Sequence, residues 1–216
     1  MQISSPFKRL LSEDRLSGYT TAYAKSRSQD PITLYKWNMH LSESLYPLLQ
    51  TVEVALRNTI NESVAEYYKD QIWLLGVNVL DTGDVIVVQK RKEKLSLDNK
   101  NPPVGKIIAD LNFGFWTGLL DAKYEQKLWR TKVIHLAFPH LDQKNRTRKN
   151  LSRAFSRIRR LRNRVFHHEP IWHWQDLMDQ HDLLLQAIRW MDPKVLSLVD
   201  PDRFKTIYLN GPVAYK

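Results

Sequence analysis

The residue types that could do chemistry crowd into one segment, RLRNRVFHHEP, residues 160–170. It holds Arg160, Arg162 and Arg164, an amide at Asn163, and adjacent imidazoles at His167 and His168, groups that titrate near neutral pH. Asn163 and His167 are spaced i,i+4, so on a helix they share a face. The amide can then fix the tautomer and orientation of the imidazole. Pro170 forces the backbone out of any helix just beyond His168, where the last carbonyls lack intrahelical partners.

The charge around this segment is patterned. Between Asp142 and Glu169 there is no acidic residue, while Arg146, Arg148, Lys149, Arg153, Arg157, Arg159, Arg160, Arg162 and Arg164 accumulate. On a helix at ~100° per residue, Leu151, Ala154, Phe155, Ile158, Leu161 and Val165 fall in one core-facing sector. Arg153, Arg157, Arg160 and Arg164 line the opposite face, a track for a phosphate backbone. With no acid for i,i+4 pairing, a merely solvated face would repel itself. Arg162 alone falls in the sector of Leu151, Phe155 and Ile158. A buried guanidinium is costly unless paired, so it meets a carboxylate from another helix or lines a cavity or subunit interface. Glu53 and Asn38 are the candidate partners.

The elements that must position these groups are helical. Asp30-Pro31 reads as an N-cap followed by proline at the first helical position. Leu34, Trp37, Leu41, Leu45, Leu48, Val52, Ala55, Leu56 and Thr59 then recur at steps of three and four, predicting one long helix to about Tyr68. A charged helix follows an Asp81/Thr82 cap to about Leu95. LSLDNKNPP, residues 95–103, is the clearest break and reads as a loop within one domain. GKIIADLNFGFWTGLL, 105–120, is apolar almost all round, with Gly114 and Gly118 permitting close helix packing. A turn at His140–Asn145, helices over about 146–166 and 172–191, and a short helix with an extended tail complete the chain. The expected fold is all-α, built on the long helix, with no significant sheet. The chain reads as one domain, with an N-terminal helical part (about 1–100) and motif-bearing C-terminal helices (about 146–200).

Composition narrows the function classes. The chain has 216 residues, 43% hydrophobic and 26% charged, as expected of a globular protein rather than a disordered one. It has no cysteine, which removes disulfides, thiolate zinc sites and a cysteine nucleophile. No apolar run has signal-peptide length, and none reaches the ~18 residues of a membrane span, so a cytoplasmic protein is expected. A formal charge of +10 and a pI near 9.7 point to a polyanionic partner.

The spacing Arg162-Asn163-x-x-x-His167 resembles the R-x(4–6)-H signature of HEPN-domain ribonucleases. LYKWNMHLSESLYPLLQTVEVALRN (34–58), GKIIADLNFGFWTGLL (105–120) and LRNRVFHHEPI (161–171) together resemble the Abi-like proteins of bacteria, the AbiD/AbiF group associated with abortive phage infection. The resemblance implies a HEPN-like helical bundle and a metal-independent endoribonuclease without cofactors, using the ribose 2′-hydroxyl of single-stranded RNA as nucleophile. His167 would be general acid or base, Arg162 would stabilise charge on the pentacoordinate phosphate, and Asn163 would orient His167 or the phosphate. His168 and Glu53 are auxiliary candidates, and Arg153, Arg157, Arg160 and Arg164 would bind RNA. Products would carry a 2′,3′-cyclic phosphate and a 5′-hydroxyl. HEPN sites are generally composite, and the chain has one motif, so a homodimer is implied. Arg57-Asn58 has no histidine at the required distance. An RNase that harms its host also implies an RNA or protein antitoxin that restrains it.

Two rival readings use the same residues. One is a catalytically inactive RNA-binding module of the same fold. The other is a metal hydrolase drawing on His167, His168, His173 and His181, with Glu169, Asp176, Asp179 and Asp182 nearby. Those spacings match no standard zinc pattern.

Overall fold

Asp30 opens the longest element as expected: its carboxylate accepts the backbone N–H groups of Ile32 (3.1 Å) and Thr33 (3.0 Å). Pro31 occupies the first helical position, where an N–H would have no partner. The computed structural model describes residues 5–26, 30–76, 78–97, 100–129 and 132–215. Its helices in chain order are α1 (Ser5–Leu11), α2 (Glu13–Ser26), α3 (Pro31–Tyr68), α4 (Thr82–Ser96), α5 (Val104–Asp110), α6 (Phe113–Gly118), α7 (Val133–Ala137), α8 (Arg148–Phe166), α9 (Leu177–Met191) and α10 (Arg203–Asn210). No strand occurs among the described residues, and the fold is all-α. No described helix is long and apolar enough to cross a membrane.

The apolar periodicities hold. Leu34, Trp37, Leu41, Leu45, Leu48, Val52 and Leu56 of α3 are buried, while Ala55 and Thr59 lie at the edge of the stripe. Every expected core residue of α8 is buried, from Leu151 to Val165. Pro47 lies inside α3, which runs through it. Proline has no N–H, so the carbonyl of Glu43 has no helical donor at that turn.

The chain forms two compact units. The first comprises Met1–Gln50, Arg160–Leu185 and Leu196–Lys216; the second comprises Thr51–Arg159 and Gln186–Val195. In the first, Leu16, Tyr19, Leu34, Leu41, Leu45, Leu161, Ile171, Leu177, Leu184 and Phe204 are buried. Here α10 is anchored on α3, where the Trp37 indole N–H donates to the Ile207 carbonyl (3.1 Å). It is anchored on α9 by His181, which stacks on Phe204 at 4.8 Å. In the second unit the core is aromatic: Trp73, Phe113, Trp116, Tyr124, Phe138 and Phe155 are almost fully buried. Two polar edges there find partners, while the Trp116 indole N–H does not. Tyr124 donates to Asp84 (2.6 Å), and the Trp129 indole donates to the Leu119 carbonyl (2.6 Å).

Several boundaries differ from the expectations, each for a local reason. The N-terminal residues hold two short helices that the periodicity did not reveal. Helix α8 starts at Arg148, because the Thr147 hydroxyl accepts the N–H of Asn150 (3.2 Å) and serves as its cap. Helix α9 starts at Leu177 rather than Trp172, and the N–H groups of Ile171 and Trp172 donate to Asn38. The stretch 105–120 is two helices broken at Leu111, with Asn112 capping the second (Oδ1 to Phe115 N–H, 2.9 Å). Gly114 does not face another helix: a Cβ there would meet Asn112 Oδ1 at 3.0 Å, and one at Gly118 would meet only Asp121 at 4.0 Å. Asp81 caps α4 by position only, its carboxylate facing Lys123 (3.6 Å) and Lys127 (3.4 Å) instead. The tail is a 3-10 turn, Pro212–Tyr215, not extended chain. Residues 98 and 99 of the 95–103 break lie outside the described residues.

His181 makes the fold pH-sensitive in a definite direction. It is fully buried, and burial pushes its imidazole below the ordinary value, outweighing the hydrogen bond and negative charge of Asp182. The folded state therefore keeps it neutral, while the unfolded chain takes up a proton near pH ~6.5. Stability is full above that value and falls as acidification protonates the unfolded state first. Thermal midpoints recorded between about pH 8 and 5 should decline on the acid side, and His181→Phe should flatten that decline. An unchanged slope in the variant would assign the effect to other groups.

Candidate active site

The segment 160–170 is the C-terminal end of α8, and its exit is built by hydrogen bonds. The N–H of His168 donates to the Val165 carbonyl (3.1 Å) and the N–H of Glu169 to the Arg164 carbonyl (2.8 Å). This is the Schellman closure of a helix, with His168 in the left-handed position at φ 56°. That position favours glycine, because the Cβ of an L-residue crowds its own carbonyl there. Arg15 of α2 donates to the His168 carbonyl (2.6 Å), and Glu169 pairs with Arg164 (2.9 Å), both holding the turn. Beyond Pro170, the Asn38 carboxamide oxygen accepts the N–H of Ile171 (2.8 Å) and of Trp172 (3.2 Å). Asn38 is 5% exposed. It therefore serves the chain that leaves the site.

Arg162 is half-buried, as its place near the apolar sector requires, and its guanidinium lies over the Phe166 ring at 4.1 Å. Phe166 in turn stacks on Tyr46 of α3 at 4.8 Å and 13° between planes. The guanidinium over the ring is a cation–π contact. Asn163 and His167 are both exposed. They meet through the helical bond from the His167 N–H to the Asn163 carbonyl (2.9 Å), rather than through the side-chain pairing expected from their spacing. Arg162 and His167, five residues apart, stand about 140° apart around the helix. One copy of α8 thus presents the two groups on diverging faces.

The basic residues divide by occupation. Arg146 donates to the carbonyls of Leu141 and Pro139, Arg148 pairs with Glu125, and Arg159 donates to Thr117 (3.2 Å). These bonds supply the compensation that the sequence lacked within the helix. In the first unit, Arg160 is exposed and Arg164 half-buried, and both guanidinium groups approach the Trp174 ring, at 5.1 and 5.9 Å. In the second unit, Arg153 is exposed, and Arg157 and Glu53 are half-buried. His173 is pushed below the ordinary imidazole range by burial and by the positive Arg164 nearby, so it is neutral at neutral pH. Among the described residues, no three His, Cys, Asp or Glu side chains converge as metal ligands would.

A cavity of about 650 Å³ opens beside this helix end, lined by Tyr35, Asn38, Met39, Ser42, Tyr46, Phe166 and His168, among others. It includes His168 and not His167. Sequence reasoning missed Tyr46, Phe166 and Trp174 as contributors. Phe166 carried a signal, since it lies i+4 from Arg162; Tyr46 and Trp174 reach the arginines only through the fold.

A family model described as Abi-like protein matches residues 4–173. No curated protein and no solved structure matches the chain.

The left-handed turn at His168 yields a test that does not depend on activity. Replacing it by glycine removes the crowding at φ 56°. His168→Gly should raise stability by about 1 kcal/mol, or a few degrees of thermal midpoint. A loss of stability would mean that the imidazole itself, not the turn, is what the site retains.

Proposed function

The chain belongs to the Abi-like protein family, of the abortive-infection type, and on that premise we propose that it is a metal-independent endoribonuclease acting on single-stranded RNA. The observation that carries this reading is the end of α8, where a guanidinium placed over Phe166 and a solvent-exposed imidazole lie five residues apart. His167 removes the proton of the ribose 2′-hydroxyl, or returns one to the leaving 5′-oxygen. Imidazole suits both tasks near neutral pH. Arg162 supplies planar donors to the phosphate oxygens as negative charge builds on them. Asn163, exposed beside His167, orients the imidazole or the phosphate, with His168 as an auxiliary group. DNA lacks the 2′-hydroxyl and so lacks the nucleophile.

The diverging faces of Arg162 and His167 favour a site completed by a second copy, with the arginine of one protomer serving the histidine of the other. Arg160 and Arg164 in one unit, with Arg153 and Arg157 in the other, contact the RNA backbone. The enzyme acts in the cytoplasm, where its substrate is, and is restrained until infection by an RNA or a protein antitoxin.

Labelled single-stranded RNA incubated with the purified protein in EDTA tests the reading. Cleavage should persist and leave 2′,3′-cyclic phosphate ends. His167→Ala should lower the rate about 10²–10⁴-fold and Arg162→Ala about 10²–10³-fold. Mixing the two inactive variants should restore part of the activity, because a mixed dimer holds one intact pair. RNA binding without cleavage in all samples would make the protein a binding module instead. Activity abolished by EDTA alone would make it a metal enzyme.

A further inference from the structure

The cavity beside α8 has walls that the reaction does not use. Its volume, about 650 Å³, is that of a small-molecule site. Tyr35, Met39, Tyr46, Pro47, Val165 and Phe166 give it aromatic and apolar walls. Its two oppositely charged wall residues, Glu43 and Arg203, neutralise each other at 2.6 Å. Such a site does not call for a phosphate or a carboxylate. It suits a planar neutral group with polar edges.

The polar atoms in the wall are of the kind such edges require. Asn38 has its oxygen committed to two backbone N–H groups, which orients the amide and leaves Nδ2 as its donor. The Ser42 hydroxyl is buried without a hydrogen-bond partner. A buried polar group without a partner carries a cost that a ligand can relieve.

Phe166 connects this cavity to the proposed chemistry. The ring that lines the cavity is the ring that carries the Arg162 guanidinium. A group in the cavity and a phosphate at Arg162 would therefore lie on either side of one side chain, Phe166. We propose that the cavity binds a nucleobase, stacked against Tyr46 and read at its edge by Asn38 and Ser42. In an RNA substrate this is the base next to the cleaved bond, and the pocket sets base preference; that assignment of source rests on the ribonuclease reading. A free nucleotide offers the same chemistry.

Isothermal titration of the full-length protein with AMP, GMP, CMP and UMP tests the pocket without requiring turnover. At least one should bind, and addition should shift the labelled methyl resonance of Met39, which is 56% exposed at the wall. Tyr46→Ala should weaken binding about tenfold or more, as loss of one base–aromatic stack does. Met39→Trp, a substitution at an exposed position, should do the same by narrowing the cavity, and circular dichroism confirms that each variant is folded. Single-stranded oligonucleotides of the preferred base, added to His167→Ala, separate the sources. Competition with the mononucleotide identifies RNA, and its absence identifies a free nucleotide. The pocket is overturned if no mononucleotide binds, if binding leaves Met39 unmoved, or if a folded variant binds unchanged. A wild-type protein that cleaves no RNA defeats the ribonuclease reading alone, since the mononucleotide result is read independently.

Discussion

One buried carboxamide sets where the end of α8 can go. Asn38 sits on α3 with 5% of its surface exposed, and its oxygen takes two consecutive backbone N–H groups from the chain that follows Pro170. Without those bonds, two donors would be left in an apolar surrounding at a cost of about 1–3 kcal/mol each. With them, the helix end, the left-handed turn and the start of the next segment are referred to α3 by hydrogen bonds rather than by packing alone. The stack of Arg162, Phe166 and Tyr46 depends on the same placement, because Phe166 must arrive opposite Tyr46 for the rings to lie parallel. A polar contact with strict geometry thus fixes the aromatic one, which has little of its own.

What the sequence made legible follows from local rules. Asp30-Pro31 declares a helix start by chemistry that needs no tertiary partner. The steps of three and four along α3 and α8 declare their buried faces, and Arg162 stands out on α8 because it breaks that pattern. The position of Arg162 is therefore readable, but its contact is not. The fold lays its guanidinium over Phe166, a contact that sequence reasoning did not name. Glu53 and Asn38 are candidates on the sequence because a charge or an amide is the usual answer for a half-buried guanidinium.

The features that escaped sequence reasoning are those decided by competition. Trp172–Asp176 has the composition for helix, yet it forms turns tied to Asn38 and α9 begins later. Asn163 and His167 have the spacing for side-chain pairing, yet both are exposed, and nothing in the helix alone compels the pairing. The N-terminal helices α1 and α2 are short and weakly amphipathic, so periodicity gives no sign of them. Arg146 and Arg148 read as part of a basic face. In the fold one is enclosed by carbonyl oxygens and the other is paired with Glu125. A run of charge in sequence does not reveal which members face a partner and which hold the protein together.

Between Gly118 and Gly211 the chain contains no glycine. Every turn in that long stretch is made by residues with a Cβ, and among its described residues His168 is the one held at positive φ. The left-handed and right-handed conformations of such a residue differ by about 1–2 kcal/mol, comparable to a single hydrogen bond to a charged group. The backbone bonds of the turn and the Arg15 contact offset that cost, so the helix end is closed by bonding around a residue ill suited to the position. Glycine there would close the same turn without the cost.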